Sequence, residues 1–260
     1  MRLTVATRAV VLRSWPYGES DKIVCLLTEN HGKVTGIAKG AKRSRKRFAN
    51  SLEPFSLVSL RFQDRPQGGL VFILSADLIV TFKNLGSSLE KITLASYLVE
   101  ITGGLIGERD ENSLVFQHLK NGLLFLDNDG TSPLEFLASF ELELLRLSGY
   151  QPVLDSCKRC SLNCRNHSRL RWHFSPAEGG ILCDQCAPSN QEILPLGTAT
   201  LAALANLQEK NLVEKFDGLG GGPLPAPVLK EVRFITQRFL QYHMDREIKS
   251  APFLAMFVAV

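Results

Sequence analysis

The sequence predicts an α+β protein in which a small amino-terminal β-barrel precedes an all-α domain that carries an inserted four-cysteine module. Three observations lead to this fold class. Apolar residues alternate in short segments over the first 82 residues, they recur with helical spacing after residue 82, and two C-x-x-C pairs interrupt the helical part. A chain of 260 residues, 45% of them hydrophobic and 22% charged, is long enough to bury a core for several domains.

The first 82 residues contain five extended segments, separated by turn residues. The segments cover residues 5–14, 23–28, 33–38, 55–62 and 70–80. A Glu-Asn-His-Gly turn at residues 29–32 and a glycine-containing turn at 64–69 are typical of strand connections. Five short strands with glycine at the bends fit a closed barrel such as the OB-fold, although an SH3-like barrel has nearly the same pattern. We therefore predict a multidomain α+β chain that begins with a five-stranded OB-fold barrel.

Helical periodicity follows the barrel. Two S-x-x-E capping boxes, Ser87 with Glu90 and Ser132 with Glu135, predict helix starts. Further helices are predicted over residues 114–126, 198–207 and 228–249, whereas Gly103–Gly104 and Gly149 are predicted to end or loosen helices. The predicted divisions are the barrel at 1–82, a helical domain at 83–150 and 191–250, the cysteine module at 151–190, a flexible joint at 217–227 and a C-terminal tail at 251–260.

The two C-x-x-C pairs predict a structural zinc site. Cys157 and Cys160 form one pair, Cys183 and Cys186 form the other, and 22 residues lie between the pairs. Two such turns can complete a tetrahedral shell of four thiolates around one Zn²⁺ ion. Disulfides are the alternative, but the amino terminus lacks the pattern of a secretory signal, and we expect a reducing compartment. A closed shell leaves no open position, so the ion is predicted to hold the fold and not to catalyse a reaction.

Three other side chains near the pairs could replace a cysteine as ligand. They are Cys164, His167 and His173. Because four cysteines in two matched turns already complete a tetrahedron, we expect all three to lie outside the metal shell. Cys25 lies in the apolar run 23–27 and is expected to be a core thiol.

The positive charge of the chain is concentrated at its amino-terminal end. Residues 1–82 contain 13 Lys/Arg and 6 Asp/Glu, and the remainder contains 17 and 20. Six cations fall within ten residues between the third and fourth strands, a segment called the basic loop below: Lys39, Lys42, Arg43, Arg45, Lys46 and Arg47. Such a cluster favours a polyanion, and the phosphates of nucleic acid are the obvious choice over a merely solvated loop or a localisation signal. Phe48, Trp15 and Tyr17 are open to two interpretations, stacking on a base or burial.

Several function classes find no support in the sequence. There is no G-x-x-x-x-G-K-[ST] motif, so no nucleotide is expected as a cofactor. The apolar stretches are too short to span a bilayer, and we expect a cytoplasmic protein without membrane contact. A nuclease would need clustered acidic ligands, whereas the acidic residues here mostly fall at helix starts and turns. The prediction is a protein that is not an enzyme.

Three segments together carry a resemblance to a known family. They are KGAKRSRKRFANSLEPF after the third strand, SWPYGESD in the first connection and FSPAEGGILCDQC at the second cysteine pair. On these segments, residues 1–250 resemble the RecO family of bacterial recombination mediators. The resemblance implies an amino-terminal OB-fold and a helical domain with a zinc-binding module.

The resemblance also implies a function in DNA repair and recombination. RecO-like proteins bind single- and double-stranded DNA, anneal complementary strands and, with RecR, help to load RecA onto strands coated by single-strand DNA-binding protein. The expected DNA-binding residues are the six cations of the basic loop, with Lys33 and Arg8 as weaker additions, and the expected location is the nucleoid in the cytoplasm. The acidic, apolar tail of the single-strand DNA-binding protein would dock on the helical domain. The last predicted helix offers Arg233, Arg238 and Arg246 as candidates, although the favoured interpretation of each is a charge on a solvated face. The alternative is a zinc-ribbon transcription or translation factor that binds nucleic acid without annealing it.

Overall fold

A computed structural model of the chain describes residues 3–65, 68–128, 133–167, 170–188, 192–209 and 224–257. The residues form two compact units. The first unit comprises Met1–Gly130 and Ile248–Leu254, and the second comprises Thr131–Glu247 and Ala255–Val260. The predicted domain boundaries stay a prediction.

Five strands close a barrel in the first unit. They are β1 (Thr4–Tyr17), β2 (Asp21–Thr28), β3 (Lys33–Ala38), β4 (Leu57–Gln63) and β5 (Val71–Val80). Their order is β1-β2-β3-β5-β4, and β4 pairs with β1 to close the barrel. Every pair is antiparallel except β3 with β5. This architecture confirms the predicted five-stranded barrel, and the strand order is that of an OB-fold.

Alternation places one face of each strand in the barrel core. Val24 and Leu26 of β2 and Val34 of β3 have no exposed surface, and the residues between them lie on the other face of the sheet. Gly36 allows β3 to approach β5 closely, because a Cβ atom at this position would lie 2.6 Å from Cγ2 of Val71. The alternation that predicted these strands therefore corresponds to alternate side chains that face the barrel core and the outer surface of the barrel.

The connection between β3 and β4 is packed against the barrel, although it contains the basic loop. Ala41, Phe48 and Leu52 belong to the barrel core and expose 9%, 4% and 2% of their surface. Burial of these three side chains fixes the path of a segment that would otherwise be repelled by its own charge.

Two helices complete the described amino-terminal part of the first unit: α1 (Leu89–Leu105) and α2 (Ser113–Asp127). The predicted cap at Ser87 is wrong by one residue. The hydroxyl of Ser87 donates to the carbonyl of Asn84 within a short 3₁₀ turn, and the hydroxyl of Ser88 accepts from the backbone N–H of Lys91. Gly103 and Gly104 lie inside α1, so they do not end it.

The described residues of the second unit form three long helices and a small sheet. The helices are α3 (Pro133–Leu147), α4 (Thr198–Glu209) and α5 (Ala226–His243). The strands β6 (Trp172–Ser175), β7 (Gly180–Cys183) and β8 (Leu194–Leu196) form a sheet in the order β7-β6-β8. Gly149, with φ +85°, follows α3, and the backbone N–H of Tyr150 returns to the carbonyl of Leu145, as predicted for a glycine helix end. Ser132, the second predicted cap, lies outside the described residues.

Three expectations for the C-terminal part need correction. Helix α5 begins at Ala226 behind Pro225, so the predicted joint at 217–227 overlaps the helix start; residues 217–223 lie outside the described residues. It ends at His243 and not at Lys249. Residues Ala251–Phe257, predicted as a tail, form a further helix, α6. Among the described helices, none is long and apolar enough to cross a bilayer.

Candidate nucleic-acid interface and metal centre

The four predicted cysteines meet in one cluster. The Sγ atoms of Cys157, Cys160, Cys183 and Cys186 all lie within 4.8 Å of one another, and those of Cys160 and Cys183 are 3.7 Å apart. Four sulfurs held at the zinc–sulfur distance of about 2.3 Å would be separated by about 3.8 Å. Among the described residues, this is the group of His, Cys, Asp or Glu side chains with the spacing of a metal shell.

Each pair is presented by a tight turn at the edge of the small sheet. The backbone N–H of Ser161 donates to the carbonyl of Cys157, and that of Cys186 donates to the carbonyl of Cys183. Cys183 is the last residue of β7 and pairs with Trp172 of β6. The turn geometry follows from the C-x-x-C spacing, whereas the sheet brings the two turns together.

The thiols influence one another strongly at this distance. Burial opposes ionisation of Cys157, but the backbone N–H groups of Cys160, Cys183 and Arg159 lower the pKa of its thiol to about 6. Hydrogen bonds with the thiols of Cys183 and Cys160 raise the pKa of Cys186 to about 12. Four thiolates in such a small volume repel one another, and a divalent cation with affinity for sulfur removes this repulsion. The donor set therefore fits a metal ion.

The three alternative ligands lie outside the cluster, as expected. The thiol of Cys164 is 3.5 Å from the carbonyl of Leu154, and burial raises its pKa. Nε2 of His173 lies 3.1 Å from the carboxylate of Asp184, and His167 is exposed. None of these side chains is needed to complete a shell of four sulfurs.

The basic loop is fixed to the barrel through its backbone. The carboxylate of Asp21 accepts from the N–H of Gly40 at 2.8 Å, and the N–H of Lys42 donates to the carbonyl of Ser20 at 2.9 Å. At the other end of the loop, the N–H of Ala76 in β5 donates to the carbonyl of Arg47 at 2.9 Å. The hydrogen bond from the backbone N–H of Gly40 is the main cause of a lowered pKa at Asp21. It favours the ionised carboxylate, which anchors the loop. Sequence reasoning missed Asp21, because nothing local marks it as the partner of a residue 19 positions away.

The loop presents its cations to solvent. All six cationic side chains are exposed, and none forms an ion pair with a carboxylate of the described residues. Lys42 and Arg47 also donate to the carbonyls of Gly18 and Lys39, which orients them across the loop. The other three side chains, those of Arg43, Arg45 and Lys46, extend from the anchored backbone and have no partner among the described residues.

The two weaker candidates already have partners in the first unit. The ammonium of Lys33 donates to the carbonyl of Gly103 at 2.8 Å and also to that of Ile106, and its side chain is only 14% exposed. It therefore satisfies carbonyl groups at the C-terminal end of α1. The guanidinium of Arg8 forms a two-bond ion pair with Glu29, which compensates its charge.

The aromatic residues separate into two groups. Phe48 is 4% exposed in the barrel core, so it cannot stack on a base. Trp15 is half-buried and Tyr17 is 52% exposed, and both lie at the C-terminal end of β1. The guanidinium of Arg13 lies 5.5 Å from the indole centroid of Trp15. Arg13 was not predicted, although it alternates with Trp15 and Tyr17 along β1 in the sequence.

The three arginines predicted as candidates for docking of the acidic tail differ in their surroundings. Arg233 is completely buried and pairs with the buried carboxylate of Glu141 on α3, so it cannot line an exposed docking pocket. Arg238 is half exposed and pairs with Glu192, and Arg246 is exposed beyond the end of α5. The helical position of Arg233, between Leu229 and Thr236 on the inner face, was the signal for its burial.

Comparison with known proteins assigns both parts of the chain to one family. The family "Recombination protein O N terminal" matches residues 1–82, and "Recombination protein O C terminal" matches residues 86–252. The chain belongs to the RecO family. Proteins named "DNA repair protein RecO" are similar to it over nearly their whole length, and the RecO of Anaeromyxobacter dehalogenans strain 2CP-C is 38% identical over 250 residues, or 96% of this chain and 95% of the relative.

Similar RecO proteins occur in other bacteria. The RecO of Syntrophus aciditrophicus is 33% identical over 251 residues, which cover 96% of this chain and 94% of the relative. The RecO of Thermoanaerobacter sp. strain X514 is 32% identical over 255 residues, which cover 98% of both chains. Membership of the RecO family thus rests on both halves of the chain and confirms the resemblance that the sequence segments indicated.

Proposed function

We propose that this RecO-family protein is a non-enzymatic mediator of DNA repair and homologous recombination that binds single- and double-stranded DNA and anneals complementary strands. The observation that carries the proposal is the basic loop, in which six exposed cations that form no ion pair with the described residues are fixed to an OB-fold barrel. Barrels of this fold commonly bind nucleic acid, and six cations can neutralise several phosphates along one strand. Such work would place the protein at the bacterial nucleoid.

Annealing needs charge neutralisation more than chemistry. Two DNA strands repel through their phosphates, and an exposed cationic surface lowers the free energy of bringing them together. Contacts to phosphates carry no base information, so one loop can act on any pair of complementary strands. Lys39, Lys42, Arg43, Arg45, Lys46 and Arg47 are the proposed contact residues. The self-compensated cations Lys33 and Arg8 are expected to contribute less.

The cysteine cluster is proposed to bind one structural zinc ion. Zinc bound by four thiolates would tie the two turns to the small sheet and contribute folding free energy. The sulfur-only donor set favours zinc over harder cations such as magnesium. Cys157, Cys160, Cys183 and Cys186 would be the complete set of ligands.

The proposed partners follow from the RecO family. RecR, the acidic tail of the single-strand DNA-binding protein and, indirectly, RecA are the expected protein partners. With RecR, the protein would help to load RecA on strands coated by single-strand DNA-binding protein. For the acidic tail, Arg238 and Arg246 remain candidates on the second unit, whereas burial removes Arg233.

An annealing assay without ATP tests the proposal. Two complementary strands, bare or coated with the cognate single-strand DNA-binding protein, are mixed with the wild-type chain or with a variant in which Lys42, Arg43, Arg45, Lys46 and Arg47 are replaced by glutamate. We expect clear acceleration of annealing by the wild-type chain and its loss in the variant. Binding of DNA without acceleration of annealing would instead favour the zinc-ribbon binding module without mediator activity.

A further inference from the structure

The outer face of the barrel carries aromatic side chains on both sides of an apolar row. Residues of four strands lie directly opposite one another: Trp15 of β1 pairs with Ile23 of β2, Ile23 with Ile37 of β3, and Ile37 with Phe72 of β5. The core residues are their neighbours along each strand, such as Val24 and Val71, so these four side chains point away from the core. We call them the stacking row.

The ends of the stacking row are accessible, and its middle is filled. Ile23 and Ile37 expose only 8% and 7% of their surface, whereas Trp15 and Phe72 are half-buried and Tyr17, two residues beyond Trp15, is 52% exposed. Three strand spacings of about 4.8 Å separate the two aromatic ends by roughly 14 Å. The row therefore has two buried isoleucines in its middle and an aromatic ring at each end.

Cations accompany both aromatic ends. The guanidinium of Arg13 lies 5.5 Å from the centroid of Trp15. At the other end, the guanidinium of Arg65 lies 4.1 Å and the ammonium of Lys39 lies 5.7 Å from the centroid of Phe72. Bases stack on guanidinium planes as well as on aromatic rings, and the same cations can contact the phosphates between stacked bases.

Charge decides which border of the row faces a DNA strand. On one side, the carboxylate of Glu108 lies 3.4 Å from the hydroxyl of Thr35 and 4.0 Å from the ammonium of Lys33, so this border carries no excess of positive charge. On the other side, the basic loop begins at Lys39, directly after β3, and Lys42 donates to the carbonyl of Gly18 in the turn that follows Tyr17. A strand that lies on the basic loop thus passes the aromatic side chains of the row.

We propose that Trp15 and Tyr17 stack the unpaired bases of single-stranded DNA, while the basic loop holds its phosphates. This inference rests on the proposed DNA binding and adds a preference to it. A duplex keeps its bases paired and stacked, so it can use the basic loop but not the stacking row. The row gives the protein a preference for single strands that charge alone does not provide.

Two oligonucleotides of equal length and charge separate stacking from phosphate binding. One is oligothymidylate, and the other is an abasic strand with the same number of phosphates. We expect the wild-type chain to bind oligothymidylate more tightly, and Tyr17→Leu to weaken that binding roughly 5- to 100-fold without changing the binding of the abasic strand. Tyr242→Leu, at a tyrosine 55% exposed on α5, is the matched control and should change neither affinity.

The outcomes distinguish this inference from the proposed function. Equal binding of the two strands by the wild-type chain would overturn the stacking row and leave phosphate binding intact. Failure of both strands to bind would overturn the proposed function as well. An equal loss for Tyr17→Leu and Tyr242→Leu would also contradict the inference, because the effect would then not depend on the row.

Intrinsic fluorescence offers an independent measurement. The chain has two tryptophans, and Trp172 is 2% exposed in the small sheet, whereas Trp15 lies on the row. We expect saturating oligothymidylate to quench the emission of Trp15, and a blunt duplex at saturation to leave it unchanged. The measurement uses Trp172→Phe, and comparison of the wild-type chain with Trp15→Phe gives the same signal by difference if the first variant does not fold. Equal quenching by the duplex, or none by either DNA, would overturn the inference.

Discussion

Three cations of the basic loop have no partner among the described residues, and their removal should change the salt dependence of DNA binding by a definite amount. In the variant R43Q/R45Q/K46Q, each lost phosphate contact removes about 0.7 from the slope of log K against log salt concentration on single strands. Six contacts predict a slope of about −4 for the wild-type chain, and three contacts predict about −2 for the variant. The three side chains do not take part in the anchoring of the loop, so the fold should remain intact.

The slope also sets the expected loss of affinity. If the two proteins bind equally at about 1 M salt, where counterion release vanishes, three contacts are worth about 50-fold at about 0.15 M and about 500-fold at about 0.05 M. Fluorescence anisotropy with labelled oligothymidylate at several salt concentrations measures both values. The control variant K230Q/R246Q/K249Q removes the same charge from three exposed positions and should leave the slope unchanged.

Two results would refute the reasoning. An unchanged slope in R43Q/R45Q/K46Q would show that the loop does not contact phosphates, whatever the loss of affinity. A similar reduction of the slope in the control variant would show that net charge, and not the position of the basic loop, governs binding.

Three further predictions concern the stability of each part. Cys157→Ser should lose bound zinc and lower the melting temperature, whereas Cys164→Ser should retain about one zinc ion per chain by metal analysis; loss of metal in both would contradict the four-sulfur shell. Phe48→Ala should cost about 3–5 kcal/mol in urea denaturation, because it empties a core position beneath the basic loop. Glu141→Gln should cost about 3–5 kcal/mol, because it leaves the charge of Arg233 buried, and the double variant Glu141→Leu with Arg233→Met should recover much of the loss; a double variant as unstable as the single one would refute this explanation.

Local patterns in the sequence were sufficient for most of the elements and for the four cysteines that meet in one cluster. The strands were predictable because alternation depends on which face of the sheet is buried, as Val24 and Leu26 illustrate. The cysteines were predictable because a C-x-x-C turn fixes two sulfurs at the separation that one metal ion requires. The choice of an OB-fold over an SH3-like barrel could not be predicted. It depends on the pairing of β3 with β5, and the connection between these strands has no regular sequence pattern.

Long-range partners account for what the sequence did not reveal. Lys33 appeared to be one more basic residue near the loop, but carbonyls at residues 103 and 106 bind its ammonium. Arg233 appeared to be a surface cation, but its partner Glu141 lies 92 positions earlier in the chain. A cation whose partner is distant in sequence has the same local signature as a free one, so only the fold separates structural charges from those available to DNA.

The basic loop combines a hydrogen-bonded backbone with exposed cationic side chains, and this combination suits the proposed annealing. Hydrogen bonds to Asp21, Ser20 and Ala76 hold the backbone, so binding of DNA requires little further ordering of the chain. The side chains of Arg43, Arg45 and Lys46 can still follow phosphates whose positions change as two strands search for their register. Contacts with phosphates carry no base information, so they can be made and broken equally at every register. In the proposed function, the anchored loop would concentrate DNA strands, while base pairing between the strands alone would select the correct alignment.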